Sequence, residues 1–85
     1  MLTIYTRGEL CAYCDQAKAL MKQYGVAFTE RMIGRDITKE DFVALFPYLR
    51  TVPQVFLMTD GEEARHIGGF TDLRAYLEET KGVLQ

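Results

Sequence analysis

The apolar residues of this chain follow two different periods. Leu2 to Thr6 alternates β-branched and aromatic residues and predicts a strand. A polar stretch, Arg7-Gly8-Glu9-Leu10, follows as a loop. Over Ala12 to Tyr24 the period changes: Ala17, Leu20, Met21 and Tyr24 stand at i, i+3, i+4 and i+7, the stripe of an amphipathic helix, and Gly25 sits where a helix C-terminal glycine belongs. Val26 to Met32 alternates again, with Val26, Phe28 and Glu30 on one face, and predicts a second strand. Thr38 followed by Lys39-Glu40-Asp41 has the form of an N-cap with an acidic first turn. The short helix it opens is expected to turn Phe42, Leu45 and Phe46 inward and to stop at Pro47. Pro53 to Met58 is a third strand, Asp60-Gly61 a hairpin turn, and Glu63 to Ile67 the returning partner, ended by Gly68-Gly69. Thr71 is expected to cap a last helix that buries Leu73, Tyr76 and Leu77.

The predicted order is therefore β-α-β-α-β-β-α. The first three elements suit a right-handed parallel crossover, and the hairpin adds two antiparallel strands. One mixed four-stranded sheet with helices on both faces accounts for all seven elements. The α/β chain of 85 residues is read as a single domain, 1–85, because so short a chain supplies one core.

Composition changes this picture in one respect. Small domains are often stapled by disulfides or metal, but this chain has two cysteines and one histidine. A structural zinc site takes typically four Cys or His ligands, so no metal is expected. The cysteines are better read as reagents than as staples. A basic n-region and a long apolar run are both missing at the start, so a reducing, cytoplasmic setting is expected. The formal charge of −2 is uneven. Residues 53–85 carry six acidic and three basic side chains, while residues 26–52 carry four of each. With no basic stripe, nucleic acid is not an expected partner, and no segment is apolar enough to suggest a membrane one.

Cys11-Ala12-Tyr13-Cys14 lies at the junction of the first strand and the first helix. A sulfur at a helix N-terminus meets unpaired backbone N–H groups and the positive end of the helix dipole, both of which favour thiolate over thiol. Cys14, one turn on, can reach Cys11 to form a small reversible disulfide. Spacing alone also admits a pair of inert buried thiols or half of a zinc site. Arg7 adds positive charge nearby, and Glu9 and Asp15 oppose it.

Four stretches together resemble the glutaredoxins: Ile4-Tyr5-Thr6 with Arg7, the Cys11–Cys14 pair, Thr51-Val52-Pro53-Gln54-Val55-Phe56, and Ile67-Gly68-Gly69 with Thr71-Asp72-Leu73. The length and the run His66-Ile67-Gly68-Gly69-Phe70 are also similar to small glutaredoxins of some tailed phages, for which the host cytoplasm would be the setting. The resemblance implies a thioredoxin fold, a monomer, and a glutathione-disulfide oxidoreductase with Cys11 and Cys14 as catalytic residues. It implies glutathione as co-substrate and disulfide-bearing proteins, ribonucleotide reductase among the family's clients, as partners. Pro53 would be cis, exposing the Val52 backbone beside Thr51 for strand-like pairing with the cysteine of glutathione. Gly69, Phe70, Thr71 and Asp72 would receive the γ-glutamyl end, Tyr13 would flank the ligand, and Arg7 with Arg50 would face the glycyl carboxylate. The chain departs from the family pattern at Ala12, where many members have Pro, at Phe70, where many have a third Cys, and in the spacing of Arg7 from Cys11. Two further readings stay open on this sequence: a redoxin reduced by thioredoxin reductase, and a dimer carrying a [2Fe–2S] cluster.

Overall fold

The computed structural model describes residues 1–58 and 64–84. Its elements are β1 (Leu2–Arg7), α1 (Ala12–Gln23), β2 (Phe28–Ile33), α2 (Lys39–Leu45), β3 (Gln54–Leu57), β4 (Arg65–Gly68) and α3 (Phe70–Leu84). The order expected from the sequence holds throughout. The Asp60-Gly61 turn and the Glu63 end of the returning strand lie outside the described residues. The strands form one sheet in the order β2-β1-β3-β4. β1 runs parallel to β2, as a crossover through α1 requires, and β3 is antiparallel to both β1 and β4. This is the mixed sheet of the thioredoxin fold.

Alternation along β1 and β3 sorts side chains to two faces. Leu2, Ile4 and Val55 point to one side and pack with Ala17, Met21, Leu73 and Leu77 of α1 and α3. Burying each larger aliphatic chain there stabilises the fold by about 1.5–3 kcal/mol. Tyr5 and Phe56 point to the other side and pack with Ile37 and with Phe42 of α2. Phe46 stacks on Phe56 at 4.8 Å between ring centroids and meets Tyr5 edge-on at 5.4 Å.

The helix ends follow the sequence signals. Gly25, at φ 70°, ends α1. Its N–H donates to the Lys22 carbonyl and that of Val26 to the Met21 carbonyl, the bond pair of a Schellman motif. At α2, Thr38 Oγ1 accepts the Asp41 N–H at 3.0 Å, as its cap role predicts.

Three expectations need correction. Leu45 does not face inward: it is 60% exposed, because α2 is seven residues long and only Phe42 of the helix reaches the core. β2 begins at Phe28, with Val26 packed against the core from the connecting turn. Thr71 is not the cap of the last helix. α3 begins at Phe70, and Asp72 Oδ2 reaches back to accept the Gly69 N–H at 3.3 Å. A carboxylate in the first turn of the helix thus pairs the backbone N–H of the residue that precedes the helix, the reciprocal half of a capping box.

On the α1 side, Glu30 Oε2 accepts from the Thr6 hydroxyl at 2.7 Å and from Lys18 Nζ at 3.1 Å. Burial works against its charged form, yet the Thr6 and Lys18 hydrogen bonds outweigh burial and hold the carboxyl below its usual value. The pair fastens the middle of α1 to β1 and β2, one turn beyond Cys14.

Candidate active site

The end of β1 and the starts of α1, β3 and α3 converge at one pole of the molecule. Cys11 is the N-cap of α1. Its Sγ accepts the Cys14 N–H at 3.3 Å and is joined to Cys14 Sγ in a disulfide. The two sulfurs differ in access: Cys14 is 2% exposed and Cys11 half-buried. Once the disulfide is reduced, the Cys14 N–H and the dipole of α1 both favour a Cys11 thiolate. Asp15, in the same first turn, opposes this, but it is a solvated residue lying 3.8 Å from Lys18 Nζ.

Just before the pair, Leu10 takes φ 51° and is 93% exposed. Arg7 secures this unfavourable backbone turn, its Nη2 donating to the Leu10 carbonyl at 2.8 Å. Across from Cys11 runs Thr51-Val52-Pro53, with a cis Val52–Pro53 bond and the Val52 carbonyl oxygen 3.9 Å from Cys11 Sγ. Val52 precedes β3 and has no partner in the strand register.

Two clefts meet on this segment, and Thr51 and Val52 line both. The smaller, about 280 Å³, is also lined by Tyr13, Pro53, Gly69, Phe70 and Thr71. Tyr13, 61% exposed, forms its rim with its ring 5.8 Å from that of Phe70. The larger, about 510 Å³, has an apolar floor that includes Phe42 and Leu49, with Arg7, Lys39 and Arg50 around it. Lys39 and Arg50 have no carboxylate partner among the described residues.

Most residues singled out from the sequence therefore meet at one pole. Cys11, Tyr13, Thr51, Val52, Pro53, Gly69, Phe70 and Thr71 surround the disulfide and the smaller cleft. Asp72 stands behind that cleft, with its carboxylate on the Gly69 N–H. Gly68 must be glycine here: its φ is 128°, and a Cβ would run into the Asp72 side chain. Arg7 and Arg50 lie apart from this group, on the larger cleft.

Sequence reasoning passed over three residues. Lys39 places a cation in the first turn of α2, against the helix dipole, and that unfavourable placement was the available signal. Gln54 is a polar residue in the register of Tyr5 and Phe56, yet it is buried. Its Nε2 donates to the Thr51 carbonyl at 3.0 Å, and its Oε1 lies 2.8 Å from His66 Nε2. His66 reads from the sequence as a lone strand histidine, and only the fold shows that partner. Among the described residues no cluster of three His, Cys, Asp or Glu side chains is arranged to hold a metal ion, and no helix is long and apolar enough to cross a membrane.

Comparison with known proteins agrees with the geometry. The glutaredoxin family model matches residues 2–64. Glutaredoxin 3 of Escherichia coli K12 is 42% identical over 72 residues, covering 85% of this chain and 80% of the relative. A glutaredoxin of Neisseria meningitidis serogroup A is 39% identical over 80 residues, covering 92% and 86%. Among solved structures, the solution structure of a Brucella melitensis glutaredoxin superposes with a TM-score of 0.68 at 34% identity, over 96% of this chain and 83% of that one. With the cysteine pair at the start of α1 and the sheet order described above, the chain belongs to the glutaredoxin family of thiol–disulfide oxidoreductases.

Proposed function

We propose that this protein uses glutathione to reduce protein disulfides and glutathione mixed disulfides, with Cys11 as nucleophile and Cys14 as resolving thiol. The observation that carries this reading is the position of the Cys11 sulfur. It is the more accessible of the pair, at a helix N-terminus, and 3.9 Å from a backbone carbonyl on the ridge between two clefts.

The tripeptide fits across that ridge. Its cysteine pairs in strand fashion with the Val52 backbone. Its γ-glutamyl carboxylate takes the smaller cleft, at the first N–H groups of α3, with Asp72 near the amine. Its glycyl carboxylate turns toward Arg7, Lys39 and Arg50. With a mixed disulfide as substrate, the Cys11 thiolate attacks the glutathionyl sulfur and the substrate leaves as a thiolate. A second glutathione thiolate then attacks the glutathionyl sulfur bound to Cys11, forming glutathione disulfide and regenerating the Cys11 thiolate. With a protein disulfide, Cys11 forms the mixed disulfide and Cys14 attacks the Cys11 sulfur. The protein dithiol is released and the Cys11–Cys14 disulfide remains. Two glutathiones reduce that disulfide and become glutathione disulfide. The Cys14 N–H and the dipole of α1 favour the thiolate nucleophile, so no separate base is needed. Ribonucleotide reductase is a client class to be tested, and the cytoplasm is the setting in which the glutathione pool could sustain the cycle.

The test is a glutathione-coupled assay on a glutathionylated peptide and on a protein disulfide, with wild type, Cys11→Ser and Cys14→Ser. Cys11→Ser is expected to lose activity on both substrates. Cys14→Ser is expected to keep turnover of the glutathionylated peptide and lose most of that on the protein disulfide. Equal loss in both variants on the peptide would overturn the division of roles. Wild-type turnover with thioredoxin reductase but none with glutathione would overturn the co-substrate.

A further inference from the structure

The ridge that separates the two clefts is held from behind by the one histidine of the chain. Gln54 is buried, and its side-chain amide bridges two elements. Its Nε2 lies 3.0 Å from the Thr51 carbonyl oxygen and 3.3 Å from Thr51 Oγ1. A carbonyl oxygen only accepts, so the NH2 end of the amide must face Thr51 and Oε1 must face the other way. There Oε1 meets His66 Nε2 at 2.8 Å. Because Oε1 has no proton, His66 Nε2 is the donor, and this bond fixes the orientation of the amide. Turning the amide over would set Oε1 against the Thr51 carbonyl and NH2 against the His66 N–H.

His66 is well placed for this task. It pairs with Phe56 across β3 and β4, next to a register shift between Val55 and Phe56. Its ring stacks on Phe56 at 4.7 Å and meets the edge of Tyr48 at 6.2 Å. Gln54 lies two residues before Phe56, a diagonal neighbour on the same face of the sheet.

We infer that His66 is a positioning residue that, through Gln54, holds Thr51 and hence the Val52 backbone in the geometry that receives substrate beside Cys11. His66 touches neither sulfur, so it acts on substrate placement and not on the chemical step. The kinetic consequence rests on the glutathione reading given above; the structural one does not.

Two variants separate ring packing from hydrogen bonding. His66→Phe keeps a flat ring over Phe56 and removes the donor, whereas His66→Gln restores an N–H donor. In His66→Phe, KM for a glutathionylated peptide should rise between roughly twofold and tenfold, the range of one net hydrogen bond, with kcat unchanged. The rate of Cys11 alkylation in the reduced protein should also stay unchanged. His66→Gln should recover wild-type KM within about twofold, since it supplies the missing net hydrogen bond. A ligand-free readout accompanies these: solvent exchange of the Gln54 side-chain NH2 and of the Thr51 and Val52 amides, measured by NMR. Exchange should quicken in His66→Phe and return toward wild type in His66→Gln. Unchanged exchange in His66→Phe, equal behaviour of the two variants, or a fall in kcat matching the rise in KM would each overturn the inference. If the wild type turns over no glutathionylated substrate, the glutathione reading fails and the exchange data still decide the role of His66.

Discussion

The two faces of the sheet end in two different clefts. On one face α1 and α3 pack Ala17, Met21, Leu73 and Leu77 onto Leu2, Ile4 and Val55. The cleft at the end of that layer is walled by the start of α3 and the cis-proline segment, which approach closely: a Cβ on Gly69 would stand 3.5 Å from the Pro53 carbonyl oxygen. On the other face the seven-residue α2 and the aromatic group of Tyr5, Phe42 and Phe56 carry the layer. Its cleft is larger and is edged by the long cationic side chains of Arg7, Lys39 and Arg50. A rigid backbone wall sets one ligand geometry at little entropic cost. Flexible cations attract anions over a distance and tolerate several poses. The difference teaches where specificity and attraction reside: shape on the α3 side, charge on the α2 side.

That contrast can be broken in three ways. The largest effect is expected from Leu73→Ala, which opens a cavity between α3 and the sheet. It should lower stability by about 2–5 kcal/mol, read by urea unfolding. The folded protein should keep its KM, since Leu73 touches neither cleft. A KM change comparable to that of a cleft variant would blur the line between scaffold and site. Next is Gly68→Ala. The new Cβ would stand 2.8 Å from Asp72 Cβ at a backbone angle that L residues avoid. The expected cost is about 1–3 kcal/mol, together with weaker glutathione binding in calorimetry, because Asp72 must release the Gly69 N–H. Full binding in this variant would show that the α3 wall is not rigid. The smallest effect is expected from Lys39→Gln and Arg50→Gln. Each should raise KM about two- to fivefold at low salt, consistent with exposed charge pairs worth up to about 1 kcal/mol. The difference should fade by roughly 0.5 M salt, where the Debye length is only a few ångströms. Salt-independent losses would mean that these cations make fixed contacts.

Hydrophobic period made the fold legible. The stripe of α1, its glycine stop, the Thr38 cap and the strand alternation are local signals, and the structure obeys them. The errors were local too. Leu45 stands at a helical spacing that a longer helix would bury, but α2 ends there. Thr71 and Asp72 both qualify as cap residues by type, and only the observed start of α3 at Phe70 decides between them. The cysteine pair could be read from its spacing and setting, whereas Thr51, Val52 and Pro53 needed the family resemblance. His66 and Gln54 stand twelve positions apart, and no local period connects them. Their contact is a property of the β3–β4 register.

The placement of Met1 beside the later turns of α3 has a practical consequence. Met1 exchanges backbone hydrogen bonds with Met58 at the start of β1 and shares a surface pocket with Tyr76, Leu77 and Thr80 of α3. β1 runs from that pole toward Cys11, while α3 runs from Phe70 back toward it. A tag, a surface tether or a second domain joined at Met1 would therefore emerge on the side away from the sulfur. The unit can be tethered there while both clefts stay open to solvent.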